Sequence, residues 1–222
     1  MESARDPRAD LLKMGPTGAL PGTPLPPDAQ DALGEIVNIG MGRAAAALAK
    51  SLSVFVRMSP PTIRVADGGS QWDVVLGNRW KNRDIIVARQ GFFGDLKGEA
   101  LALFDPDVTA TMNDLLGIQS GAVGPEVPLE LANLLIGTCV GGVAAQLAQN
   151  IGFYPPAIVF QNRELEAELP RLRQRSGAII LVAVDFNVDA RHFLGRVVFA
   201  FAPEETSRLE RLIAMFLEEA FA

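Results

Sequence analysis

Glu-x-x-Asn occurs twice in this chain and nowhere else, as Glu35 with Asn38 and Glu130 with Asn133, the copies 95 positions apart. Each is followed, after 22 further residues, by the second Pro of a Pro-Pro pair, Pro61 and Pro156 respectively. A carboxamide offers a donor and an acceptor without charge, so it can hold a water in line with a phosphoryl group without the repulsion a carboxylate would meet. A carboxylate one helical turn earlier can pair with a cation on a phosphorylated partner and fix the docking register. Chemistry of this kind is positioning, and it needs no nucleophile, base or metal from the chain itself.

On a helix turning about 100° per residue, Asp31, Glu35, Asn38 and Gly42 fall within about 60° of one another and form one polar stripe. Glu126, Glu130, Asn133 and Gly137 repeat it. Each glycine removes the side chain that would stand beside the carboxamide and leaves a flat approach for something large. Asp31, Gly42, Glu126 and Gly137 are therefore candidate partner-binding positions beside the candidate catalytic Glu35, Asn38, Glu130 and Asn133. The plainer alternative is a solvated face, with Gly40, Gly42, Gly137, Gly141 and Gly142 letting two long helices pack closely. Against it, acidic residues at i and i+4 repel by a few tenths of a kcal/mol, and each mid-helix Gly costs about 1 kcal/mol relative to Ala. Helix N-termini offset part of the repulsion. Retention of both features in both copies argues for a use.

The elements that must hold these residues are themselves duplicated. Leu33, Ile36, Val37, Met41, Ala44 and Leu48 recur at helical spacing, predicting a helix from about Asp28 to Lys50, with Asp28 accepting from free backbone N–H groups at its start. A counterpart begins near Pro125 or Pro128 and runs through Leu131, Leu134, Leu135, Thr138 and Leu147 to Asn150-Ile151-Gly152. Strands are expected over Val54 to Met58, Thr62 to Val65, Asp73 to Leu76, Asp84 to Gln90 and Gly98 to Phe104, and again over Ile158 to Gln161, Gly177 to Phe186 and Leu194 to Phe201. Asp105-Pro106 reads as N-cap and N1 of a short helix ending at Gly117, and a final helix starts at Pro203. Glu164 to Arg175 reads as a charged loop with strand ends. Gly98 to Pro106 aligns with Gly195 to Pro203 at an offset of 97, so the repeat spans whole halves of the chain.

Brief turns between consecutive strands favour antiparallel pairing, and two halves bury more apolar area by sharing one sheet than by folding apart. The expectation is an α+β fold, a single domain over residues 28–222 with pseudo-twofold internal duplication, its repeats at about 28–120 and 121–222. Two separate domains joined by Gly117 to Pro125 are the alternative. Residues 1–27, rich in Pro, Gly and charge with no apolar core, read as a flexible N-terminal tail without a secretory signal, or with Ala9 to Met14 as a short docking helix.

Composition removes several classes of function. With 49% hydrophobic and 21% charged residues the chain is an ordinary globular composition, and a net charge of −6 without a basic stripe argues against nucleic acid. The single Cys139 permits no internal disulfide and sits in an apolar helix without a nearby His, as a small core residue does. His192 is the only histidine, too few for a His-based metal cluster or a Ser-His-Asp triad, and is expected at a strand or turn. The longest apolar run, Ala178 to Val184, suits one buried strand, so no membrane insertion is expected. No metal site and no cofactor of its own are expected either.

The arrangement of acidic residue, three spacers, Glu, two spacers, Asn, 22 spacers and Pro resembles the signature of the CheC/FliY/CheX family of chemotaxis phosphatases. Asn38-Ile39-Gly40-Met41-Gly42 and the Ala-rich turn after it resemble that family as well. Two copies and no appended C-terminal switch module make the resemblance strongest to the CheC type. Glu126 stands where Asp or Ser is usual, and Arg43 follows Gly42 where a small polar residue is common. The resemblance implies hydrolysis of the phosphoaspartate on a CheY-like response regulator in the cytoplasm. It implies that Asn38 and Asn133 orient the attacking water, that Glu35 and Glu130 contact the regulator's active-site Lys, and that Mg²⁺ comes from the regulator. A CheD-like deamidase is a possible further partner, and a non-catalytic binding or adaptor module for the same partners is the alternative.

Overall fold

In the computed structural model the described residues are 26–53, 55–67, 80, 84–116, 126–164, 178–188, 193–201 and 203–220. Helix α1, Pro27–Leu52, forms where apolar residues recur every three or four positions, and Leu33, Ile36, Val37, Met41 and Ala44 are fully buried along it. Pro27 occupies the first turn, where its missing N–H removes no helical bond. Asp28, expected to cap the helix, instead lies within that first turn beside Pro27, and the N-cap position is Pro26, which makes no side-chain cap hydrogen bond. The helix ends on Ser53 in the left-handed conformation, at φ 53°. Helix α3, Glu126–Gln146, ends the same way two residues on, at Ala148 with φ 51°. These two are counterparts in the repeat and, among the described residues, the only non-glycine positions with positive φ. The expected continuation of α3 to Gly152 is thus replaced by this stop, and Ile151–Phe153 forms a strand.

Strands β1 (Val56–Met58), β2 (Thr62–Asp67), β3 (Asp84–Gly94) and β4 (Gly98–Phe104) belong to the first half. Strands β5 (Ile151–Phe153), β6 (Ala157–Glu164), β7 (Ala178–Val188) and β8 (Phe193–Phe201) belong to the second. Helices α2 (Val108–Leu116) and α4 (Pro203–Ala220) close the two halves. Helix α2 begins later than Asp105-Pro106 predicts, because the Asp105 carbonyl accepts the Val108 N–H in a turn ahead of it. The strand expected over Asp73 to Leu76, the Glu164 to Arg175 loop beyond Glu164, His192, the possible linker Gly117 to Pro125 and the tail through residue 25 lie outside the described residues.

All eight strands form one antiparallel sheet, in the path β1-β7-β8-β4-β3-β5, with β2 also on β7 and β6 also on β3. The single-domain α+β expectation holds, and the halves are interleaved: β1 and β2 pair with β7 of the second half, while β5 and β6 pair with β3 of the first. At the centre β4 runs antiparallel to β8, and there Leu101 pairs with Val198, its own counterpart in the repeat. The pseudo-twofold axis passes through that pair.

The helices cover one face of the sheet in a single apolar core. Ile86, Ala88, Phe92, Ala102, Val182, Val184, Phe186 and Phe199 point into it from alternate strand positions. Ile85, Val87, Leu101, Leu103 and Val198, at the intervening positions, are buried on the opposite face, which explains near-continuous apolar runs in the central strands. By length and composition helix α3 would pass for a membrane span, which the longest unbroken apolar run, Ala178 to Val184, does not reveal. More than half of that window is buried, because α3 lies between α1, α2 and the sheet as a core helix.

Candidate functional site

Helices α1 and α3 cross at small residues. A Cβ on Gly142 would stand 2.6 Å from the Gly40 Cα, and one on Gly40 would lie 3.1 Å from the Cys139 carbonyl oxygen. Close packing therefore accounts for those two glycines. It does not account for Gly42, Gly137 or Gly141, where a Cβ would meet nothing within 4 Å. The glycine explanation divides in two: Gly40 and Gly142 serve the helix contact, while Gly42 and Gly137 leave open ground beside the carboxamides.

Burying Leu33, Ile36 and Val37 turns the opposite edge of α1 outward, and Asp31, Glu35, Asn38 and Gly42 are all exposed there. The same logic on α3 buries Leu131, Ala132, Leu135 and Ile136 and exposes Glu126, Glu130 and Asn133, with Gly137 half-buried. Each stripe borders a groove whose other wall is a Pro-Pro segment leading out of a short strand. In the first, Asp31, Glu35 and Asn38 face Pro60, Pro61 and Ile63, with Gln30 and Gly34 between them, around about 450 Å³. In the second, Glu130 and Asn133 face Phe153, Tyr154, Pro155 and Pro156, with Gln90 and Leu129, around about 490 Å³. The 22-residue spacing between Asn and Pro thus carries the chain off the helix, through the short strand and back to the same groove. Asp31 lines its groove; Glu126, Gly42 and Gly137 lie outside both.

The grooves share a backbone frame but differ in side chains. The Tyr154 N–H donates to the Gly91 carbonyl at 3.0 Å, and its counterpart, the Ser59 N–H, donates to the Asp185 carbonyl at 3.0 Å. In the second groove Tyr154 packs over Gly91 and against Phe93, with ring centroids 4.7 Å apart. At the matching position of the other half, Asp185 takes a two-pronged ion pair from Arg196, both contacts 2.6 Å, and its N–H donates to Ser59 Oγ at 3.0 Å. Phe153 and Tyr154 line the second groove, Tyr154 remaining 57% exposed, whereas among the described residues no aromatic side chain lines the first.

One polar side chain at the second groove escaped the sequence reading. Gln90 is 1% exposed, and its Nε2 donates both to Asn133 Oδ1 at 2.8 Å and to the Tyr154 carbonyl at 3.0 Å. Its signal was present in the alternation of β3: Ile86, Ala88 and Phe92 on either side of it all point into the core, so a polar residue there stands out.

Cys139, by contrast, is fully buried, and burial pushes its thiol well above the ordinary cysteine range, as suits a core residue. Among the described residues, no three His, Cys, Asp or Glu side chains converge as metal ligands would.

Residues 29–64, which span the first stripe and Pro61, match the model of the CheC-like family. Comparison with curated protein sequences finds no match. The fold is similar to that of Thermotoga maritima FliY, with a TM-score of 0.60 at 20% identity over 88% of this chain and 98% of that one. It is also similar to a CheX from Desulfovibrio desulfuricans, at 0.50 and 14% identity over 75% of this chain and 99% of that one. The FliM of a FliM-SpeE complex from H. pylori scores 0.55 at 8% identity, over 86% of this chain and 96% of that one. At these identities the structures speak to fold.

Proposed function

We propose, from the premise that this is a chain of the CheC/FliY/CheX family, that it hydrolyses the phosphoaspartate of a CheY-type response regulator in chemotaxis signalling. The observation that carries the reading is the repeated coincidence of an exposed Glu, an exposed Asn and a Pro-Pro wall at two grooves. Solvation alone would leave the stripe without a facing wall.

In this mechanism the regulator docks across a helix and its Pro-Pro segment, so that the carboxamide enters the acyl-phosphate pocket. Asn38 or Asn133 holds a water through its donor and acceptor, in line with the phosphorus and opposite the aspartate oxygen that leaves. Glu35 or Glu130 pairs with a Lys of the regulator and fixes the approach. Mg²⁺, which would be held by the regulator and not by this chain, would supply charge neutralisation at the phosphoryl oxygens. Because the water is positioned rather than deprotonated by the carboxamide, the rate gain comes from orientation and from excluding misaligned waters. Action on such a regulator would place the protein in the cytoplasm, and a CheD-like deamidase is a further partner to assay.

The competing reading is a non-catalytic docking module, favoured by the likeness of the fold to a FliM. Loss of phosphate from phosphorylated receiver domains separates the two. Asn38→Ala with Asn133→Ala should abolish the acceleration, a loss of at least about 100-fold, while complex formation stays within a fewfold. Glu35→Ala with Glu130→Ala should weaken the complex as well. Equal phosphate loss with and without the protein would leave the docking module.

A further inference from the structure

The two grooves are not equivalent in how firmly they hold their carboxamide. Phe92 of β3 pairs with Phe153 of β5, and Phe186 of β7 pairs with Met58 of β1; Met58 and Phe153 are counterparts in the repeat, so Phe92 and Phe186 are too. Two residues back along each strand, the counterpart of Gln90 is Val184. Both are 1% exposed and both face the helices, yet only Gln90 carries a donor. Asn133 is therefore tethered from below, whereas among the described residues the Asn38 carboxamide makes no hydrogen bond.

We infer that Gln90 is a positioning residue that pre-orients the Asn133 carboxamide, making the second groove the faster of two unequal sites. Its two N–H groups join the carboxamide to the carbonyl that precedes Pro155-Pro156, so a single side chain ties both walls of the groove together. With one lone pair of Oδ1 engaged, Asn133 keeps the other lone pair and both N–H groups for a water, and donation to Oδ1 polarises the amide toward stronger donation from its nitrogen. The arrangement costs stability: Gln90 Oε1 is buried without a partner, a penalty of the kind that Val184 avoids on the other side. A costly polar group kept at one of two matched core positions points to a task there.

The kinetic consequence rests on the phosphatase reading, but the tether does not, and the test has one arm for each. In the first arm, ¹⁵N relaxation of side-chain amides should find Asn133 more ordered than Asn38, and Gln90→Val should lower Asn133 to the level of Asn38. Equal order of the two amides in the unaltered protein would overturn the inference whatever the activity. In the second arm, Gln90→Val is combined with Asn38→Ala, which leaves only the second site, and separately with Asn133→Ala, which leaves only the first. Turnover of phosphorylated regulator should fall about tenfold in kcat with KM little changed in the first combination, and not at all in the second. A loss of equal size in both combinations would mark Gln90 as merely structural and reject the inference.

Gln90→Glu supplies a further signature, since an isosteric acid donates only while protonated: its rate relative to the unaltered protein should fall as pH rises. Absence of any turnover in the unaltered protein would refute the phosphatase reading alone, and the tether would still stand or fall on the relaxation arm.

Discussion

At the scale of single residues, the proposed chemistry rests on placement alone. Glu35, Asn38, Glu130 and Asn133 are all exposed on helices whose other faces are buried. Cys139 shows the opposite case. Its buried thiol is held protonated, so maleimide should leave the folded protein unlabelled at neutral pH and modify it only in denaturant. Labelling of the native state at the rate of a free thiol would show that the helix pair opens. The candidate site was legible because both copies of the signature, with their Pro-Pro walls, are local patterns repeated at one spacing. Gln90 was not: its meaning depends on Asn133, 43 residues away, and on a comparison with Val184 that needs the strand register.

Among the elements, the crossing of α1 and α3 separates two uses of glycine that look identical in the sequence. Gly142→Ala would drive a Cβ to 2.6 Å from the backbone of Gly40 and should destabilise the fold by about 1–3 kcal/mol in urea titrations. Gly42→Ala and Gly137→Ala meet nothing and should stabilise by up to about 1 kcal/mol each through helix propensity. If the stripe is a docking face, the same two substitutions should raise KM for the phosphorylated regulator. Stabilisation with unchanged KM would remove them from the contact. Helix positions followed from the spacing of Leu33, Ile36, Val37 and Met41, and β4 lies where Gly98 to Phe104 predicted it. The ends were less legible, as at Asp105-Pro106, because a Pro after an Asp serves a turn as readily as a first helical position.

For the whole molecule, duplication predicted shared architecture but not the exchange of strands across the sheet. Pairings between β1 or β2 and β7, or β5 or β6 and β3, join residues far apart in the chain and leave no local trace. Each half thus lacks the edge partners that its own strands need. A chain cut between α2 and α3 should give two fragments without cooperative thermal transitions, and mixing them should restore one transition near that of the intact protein. A cooperative transition in either fragment alone would contradict the interleaved sheet. Leu101 against Val198 carries the matter further. A ladder that reads alike from both ends can be assembled from two identical polypeptides as readily as from one long one. A synthetic gene encoding either repeat, idealised at this seam, is thus a starting point for a self-complementary dimer bearing the same groove twice.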